Sequence, residues 1–172
     1  MRSLYAGVSF FRCSAAKEIR MGDLSILSEY IKQFGAIVGI ADLALDANGV
    51  LSLDVDGVPY GLHHFPKGNE VYITSRLGSL PDDQHSREAM FRFLLGKNAF
   101  FSGVGPGVVG LASDGAAIYY TARTRLEGLQ YADFEEFFLA VVTVCATLRQ
   151  EMAHLNTLPA PSGSGMEYML RI

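Results

Sequence analysis

From Val50 to Leu77 the apolar residues recur at every second position, in three runs joined by two very short connections. Successive strand residues point to opposite faces, so Leu51, Leu53 and Val55 share one face and Ser52 and Asp54 the other. Asp56-Gly57 follows, a dipeptide that tolerates the positive φ angles of a tight hairpin. Val58–Phe65 returns as a second strand. Pro59 removes one amide donor from it, which favours a position at or near a sheet edge or a strand end. Pro66-Lys67-Gly68-Asn69 forms a turn, and Glu70–Leu77 is a third strand with Val71 and Ile73 on one side. Parallel strands need long crossovers, so connections this short allow only an antiparallel meander.

Helical spacing brackets the meander. Leu24, Leu27, Ile31 and Phe34 repeat as an apolar stripe that Ile26 and Tyr30 widen. Asp23 stands where a cap belongs and Gly35 where a terminating glycine belongs, so residues 23–34 are predicted as a helix. After Leu80-Pro81-Asp82-Asp83, a second helix is expected over Ser86–Ala99, with Met90, Phe91, Leu94 and Leu95 as its apolar side. Gly103-Val104-Gly105-Pro106-Gly107 breaks it. Val108–Ala112 and Ala116–Arg123 read as strands around the turn Ser113-Asp114-Gly115. The last helix is predicted to open at Asp133, with Glu136 as capping-box partner, and to run to about His154. Phe134, Phe137, Phe138, Val141, Val144, Cys145 and Leu148 form its broad apolar face. The order α-β-β-β-α-β-β-α predicts an α+β fold, an antiparallel sheet flanked by three helices.

The expected organisation is an N-terminal extension over 1–20, one domain over 21–155 and a flexible tail over 156–172. Pro159, Pro161 and Ser162-Gly163-Ser164-Gly165 give the tail a linker composition. Leu4–Phe11 is a short apolar stretch behind Arg2, but Arg12 interrupts it, so an extension is expected there rather than a signal peptide. No run approaches the length of a membrane span. With 18 acidic against 14 basic residues, the chain has the wrong sign for reading nucleic acid through phosphates. Cys13 and Cys145 are too few for a disulfide framework.

Chemistry-bearing motifs dissolve on inspection. Gly105-Pro-Gly107-Val-Val-Gly110 spells the dinucleotide fingerprint, yet a helix precedes it and a strand follows. That is the reverse of the context in which a helix N-terminus meets a pyrophosphate. Asp46-Ala-Asn48-Gly49 and Asp54-Val-Asp56-Gly57 lack the closing glutamate of a calcium loop and read as turns. His63 and His64 point to opposite strand faces, and His85 and His154 flank helices, so no metal is expected. Cys145, inside an apolar stripe, reads as an inert hydrophobe. Asp82-Asp83 serves the positive end of a helix. Neither an enzyme nor a cofactor is indicated. The excess of apolar helix and strand surface points to partner binding.

Phe93-Leu94-Leu95-Gly96-Lys97-Asn98-Ala99-Phe100 resembles the "LL-x-x-N" end of the central helix in class I type III secretion chaperones, the CesT/SycE-like Tir chaperone family. Val109-Gly110-Leu111-Ala112-Ser113-Asp114-Gly115 and Tyr119-Tyr120-Thr121-Ala122-Arg123 are similar to its fourth and fifth strands. Leu126-Glu127-Gly128-Leu129 and Asp133-Phe134-Glu135-Glu136-Phe137 resemble its link into the last helix. Leu27 to Gly39, Asp56-Gly57 and Leu77-Gly78-Ser79-Leu80-Pro81 fit its first helix, first hairpin and pre-helix loop. The resemblance spans about residues 23–155. The chain departs from it in the N-terminal extension, the tail, the long glycine loop and Thr147-Leu148, where many relatives place a tryptophan.

The resemblance implies a homodimeric chaperone in the cytoplasm of a Gram-negative bacterium. It would bind the N-terminal segment of a secreted effector and present it to the secretion apparatus, with the secretion ATPase as a further partner. By that resemblance Phe91, Leu94, Leu95, Val109 and Leu111 are expected at the two-fold. Alternatively, the fourth strand pairs across the two-fold to extend the sheet. The effector is expected on the first helix and first strands, from the pool Leu24, Leu27, Tyr30, Ile31, Leu51, Leu53, Val58 and Tyr60. About half of that pool is expected to be ordinary core. Two other readings stay open. One is a small ligand-binding domain or enzyme using the Gly103–Gly107 loop; the other is a regulator of the same fold that binds a transcription factor.

Overall fold

The computed structural model describes residues 8–11 and 24–157, apart from 102 and 114. The strands are β1 (Val8–Phe11), β2 (Val50–Val55), β3 (Val58–Phe65), β4 (Glu70–Ser79), β5 (Gly107–Leu111) and β6 (Ala117–Arg125). The helices are α1 (Leu24–Val38), α2 (Gln84–Asn98) and α3 (Tyr131–Thr157). The strands form one six-stranded sheet in the order β1-β2-β3-β4-β6-β5, each pair antiparallel. The predicted α+β architecture is present, with one strand more than the sequence order supplied: β1, inside the N-terminal extension.

The hairpin between β2 and β3 turns on Asp56 and Gly57, whose φ angles are 54° and 78°. Positive φ at both central residues matches the right-handed strand twist. The Asp54 carboxylate accepts the Gly57 amide at 2.7 Å and fixes the turn. Asp46 does the same upstream, accepting the amides of Asn48 at 2.9 Å and Val50 at 2.8 Å. Both acidic motifs are turn-makers.

Pro59 does not mark an edge, because β3 lies between β2 and β4. It stands second in its strand, beside the hairpin, where the ladder has scarcely begun. Its carbonyl accepts the Ser75 hydroxyl at 3.0 Å, which ties β3 to β4. Gly35 does not end α1. The helix continues to Val38 and Gly39 takes the left-handed φ of 79°. Gly35 is required for packing instead: a Cβ there would approach the Leu43 Cβ to 2.8 Å and the Ile40 carbonyl to 2.9 Å. The predicted cap Asp23 lies outside the described residues.

Asp83 caps α2 by accepting the Ser86 amide at 2.8 Å, and that bond holds its carboxyl below the ordinary range. α3 starts two residues before the predicted Asp133. The Asp133 carboxylate reaches back to the Gln130 amide at 3.1 Å, so it supplies the returning half of a capping box. At its far end α3 takes in residues 156 and 157; the remainder of the expected tail lies outside the described residues.

The core fills one face of the sheet. Leu51, Leu53, Tyr60, Leu62, Val71, Ile73, Ile118, Tyr120 and Ala122 are buried there against Leu27, Ile31 and Phe34 of α1 and Phe134, Phe138, Val141, Cys145 and Leu148 of α3. α2 packs beside β5 and α3. The loop over 103–106 is part of this packing, with Val104 buried and its carbonyl accepting the Tyr120 hydroxyl at 2.7 Å. Gly107 then passes so close to β6 that a Cβ would lie 2.5 Å from the Thr121 carbonyl oxygen and 2.5 Å from the Tyr120 ring. Gly107→Ala should therefore destabilise the protein by about 1–3 kcal/mol, as overpacking does. Gly110→Ala, with open space around the added atom, should cost nothing. Urea unfolding of the two variants checks the contrast.

Candidate interaction surfaces

Apart from Phe65 at the end of β3, the exposed large apolar side chains among the described residues fall in two groups. The first is built by the end of α2, the turn after it and strands β5 and β6. Leu95 is 70% exposed and Phe101 66% exposed. Val108, Leu111 and Tyr119 are exposed on the two strands, Val108 and Tyr119 on the sheet face opposite to that of Leu111. Phe101 has a φ of 55°, a left-handed conformation that a bulky residue adopts only under constraint.

Asn98 joins these pieces. Its side-chain amide donates to the Val109 carbonyl at 2.8 Å, and its side-chain oxygen accepts the Val109 amide at 2.9 Å. It thus pairs with the outer edge of β5 as a neighbouring strand would. Lys97 meets Glu151 of α3 at 2.7 Å and lies 5.3 Å from the centre of the Phe93 ring, which anchors the same turn of helix from its other side. The local order Leu94-Leu95-x-x-Asn98 then has a physical meaning. Leu94 is buried, Leu95 is presented outward, and Asn98 locks the helix end to the sheet edge.

The second surface lies along α1. Ile26 is 45% exposed and Ile37 46% exposed. They are separated by about three helical turns and so share a face. That face borders the buried stripe of Leu27, Ile31 and Phe34. Tyr30 stands on the border: its hydroxyl donates to the Leu129 carbonyl, and its ring packs against Tyr131 at 5.9 Å and Phe134 at 5.8 Å.

The predicted residues divide accordingly. Of the effector pool, Leu27, Ile31, Leu51, Leu53 and Tyr60 are core residues of the single chain, while Tyr30 and Val58 are half-buried. The side chain of Leu24 lies outside the described residues. Of the two-fold pool, Leu94 and Val109 are buried, Phe91 is half-buried, and Leu95 and Leu111 are exposed. Ile37, Phe101, Val108 and Tyr119 join the exposed set without having been singled out. Ile26 had shown only as a widening of the α1 stripe. The signal for the others was weak, because an apolar residue beside a glycine loop or at the margin of a stripe has no distinctive period.

Reactive chemistry is sparse. Among the described residues, no group of three or more His, Cys, Asp or Glu can hold a metal ion. Burial pushes the Cys145 thiol up to about 11, so it stays protonated and unreactive near neutrality. Burial also lowers His63 from the ordinary histidine range, against an opposing pull from Asp46. A cleft of about 240 Å³ lined by Pro59, Arg76, Leu77, Gly78 and Arg149 is smaller than the usual small-molecule pocket. Among the described residues no helix is long and apolar enough to cross a membrane.

The notable exposed features of the fold are apolar side chains at the margins of its sheet and helices. The chain belongs to the Tir chaperone protein (CesT) family, whose model matches residues 29–149, and is thereby a class I type III secretion chaperone by family. No curated protein matches its sequence significantly. Among solved structures it is similar to a chain of the ExsC–ExsE complex, with 17% identity and a TM-score of 0.66, over 77% of this chain and 97% of that one. It is similar to a chain of the HopA1–SchA chaperone–effector complex, with 12% identity and a TM-score of 0.58, over 77% and 98%. A chain of the heterodimeric ExoU–SpcU complex from the type III secretion system of Pseudomonas aeruginosa aligns with 14% identity and a TM-score of 0.55, over 75% and 96%. At these identities the likeness concerns the fold.

Replacing Asn98 with Ala removes both bonds to Val109. It should cost about 1–3 kcal/mol, the range for leaving buried partners unpaired. Hydrogen exchange should show faster exchange of the Val109 amide, with β3 and β4 unchanged.

Proposed function

We propose that this chain is a homodimeric chaperone that binds the N-terminal segment of a secreted effector in the bacterial cytoplasm. It keeps the segment extended and competent for secretion, and presents it to the secretion apparatus, with the secretion ATPase as docking partner. It performs no catalysis. The observation that carries this reading is the pair of separate exposed apolar surfaces on a fold of this family. One suits a symmetric contact and the other an extended guest.

The surface around Leu95, Phe101, Val108, Leu111 and Tyr119 is the proposed two-fold. It spans a helix end and an outer strand, and a two-fold axis would bring the same residues of two copies together. Because Asn98 already engages β5 at Val109, side-chain packing supports this contact better than strand pairing across the two-fold does. Light scattering should give twice the chain mass for the native protein. Leu95→Asp should give a folded monomer at micromolar concentration, with an unchanged circular dichroism spectrum. A native monomer would remove the proposal.

The proposed cargo surface is the flank of α1, with Ile26 and Ile37 as its exposed anchors and Tyr30 and Val58 at its margin. An extended segment that becomes ordered on binding loses chain entropy, and burying apolar anchors offsets that loss. Tyr30 is a poor probe because its ring and hydroxyl hold the fold together. Ile26→Asp combined with Ile37→Asp should leave the dimer and its melting temperature intact. It should weaken co-purification with a co-expressed effector at least about tenfold, the equivalent of losing one or two buried apolar side chains. Undiminished co-purification would put the cargo elsewhere.

A further inference from the structure

Near its end β4 loses its neighbours on both sides. Its pairing with β6 shifts register between Arg76 and Gly78, so Leu77 has no residue opposite it. Such a bulge re-aims the side chains around it. Toward β3 the pairing stops at Tyr60↔Ser75, and Pro59, which would come next opposite Arg76, has no amide with which to continue it. A cleft of about 240 Å³ opens there, lined by Pro59, Arg76, Leu77, Gly78 and Arg149. Its two arginines come from opposite sides of the sheet. Val71, Ile73 and Ser75 are buried on the core face, so Arg76 belongs to the outer face. Arg149 follows the buried Leu148 on α3 and reaches the strand from the core side. Both guanidiniums are held in place: Arg149 Nη1 donates to the Arg76 carbonyl at 2.9 Å, and Arg76 Nη2 donates to the Ser79 hydroxyl at 2.8 Å. Each bond uses one donor of a group that has several.

We propose that this cleft binds the side-chain carboxylate of an aspartate or glutamate in an extended segment of a partner protein. Among the described residues the ion pairs are Arg92–Glu88, Lys97–Glu151 and Arg123–Glu70, and neither Arg76 nor Arg149 takes part in one. Asp54, opposite Pro59 in the sheet, is committed to the Gly57 amide. The chain has 18 acidic against 14 basic residues, yet none of the described carboxylates neutralises this pair. A guanidinium is a planar fork that matches a carboxylate, and two cations lining one cleft favour an anion between them. The size selects the ligand. The cleft is smaller than the usual small-molecule pocket and suits one side chain. Gly78 puts no side chain in the way of the segment that carries it. The cleft also begins one residue after Val58, at the margin of the proposed cargo surface. The chaperone reading therefore supplies an effector segment as the natural source of the carboxylate. The recognition itself stands apart from that reading.

The test is an NMR titration of the isotopically labelled full chain with a peptide of sequence Gly-Ser-Glu-Ser-Gly, blocked at both ends. The amides of Leu77 and Gly78 and the Nε–H signals of Arg76 and Arg149 should shift and saturate, with a dissociation constant on the order of millimolar, as a single contact gives. The same peptide with glutamine in place of glutamate should leave them unmoved. Arg76→Gln combined with Arg149→Gln should weaken binding at least about tenfold, the loss of charge-assisted hydrogen bonds. If that double variant does not fold, Arg76→Gln alone carries the test, since its side chain is exposed, and should weaken binding at least about threefold. Inorganic phosphate is titrated in parallel. No saturable shift with the glutamate peptide, equal shifts with the glutamine peptide, or unchanged affinity in the variant would overturn the proposal. Phosphate shifting these signals while the glutamate peptide does not would mark a free-anion site and overturn it as well. If the peptide binds as expected and the effector fails to co-purify, the chaperone reading falls and the carboxylate site stands. If the effector co-purifies and the peptide does not bind, the reverse holds.

Discussion

The rest of the structure depends on how α3 lies across the sheet. Phe134, Phe138, Val141, Cys145, Leu148 and Met152 are all buried, so one side of a 27-residue helix is spent on the core. Phe138 stands between α1 and β3, with ring centres 5.0 Å from Phe34 and 6.1 Å from Tyr60. Tyr30 closes the same layer over Phe134. At roughly 25 cal/mol per Å² of apolar surface removed from water, this contact contributes strongly to the cohesion between the layers. It also determines what α1 can offer elsewhere. The stripe of α1 that meets α3 and the sheet is fully used, and only its flank, at Ile26 and Ile37, remains outside.

The same packing decides which polar groups can do chemistry. Cys145 lies deep in the α3 stripe, and burial holds its thiol neutral. Tyr60 and Tyr120 are likewise pushed upward by burial, and the Tyr120 hydroxyl is committed to the Val104 carbonyl. The glycine loop is fastened to β6 at Val104 and Gly107, which leaves its amides in the service of a tight helix-to-strand passage rather than of a phosphate.

Much of the fold was legible because its signals were local. The boundaries of β2 and β3 follow directly from alternation around Asp56-Gly57, and the two acidic motifs are the turns their composition indicates. Where the reading failed, a tertiary contact had overridden a local rule. Gly35 carries the same letter as a helix terminator, yet its reason is the approach of Leu43. Of the two places that the missing donor of Pro59 allows, it takes the strand end and not the edge. β1 showed only as part of the apolar stretch Leu4–Phe11, and such a stretch cannot announce a partner forty residues away.

The proposed interaction surfaces were harder to read than the fold, for a reason built into periodicity. A hydrophobic stripe is recognised by its centre, and the centre of a stripe is the part that faces the core. Leu27, Ile31, Leu51 and Leu53 were natural choices from the pattern, and for the same reason they are buried. A surface that must bind a partner and still let the chain fold alone uses the residues just beside the centre, where the pattern is fading. Ile26 and Ile37 flank one stripe, and Leu95 directly follows the buried Leu94 in another. Such residues become recognisable only after the core has been subtracted. In a protein that works through surfaces, the apolar residues that fit the period least well are therefore the first ones to test.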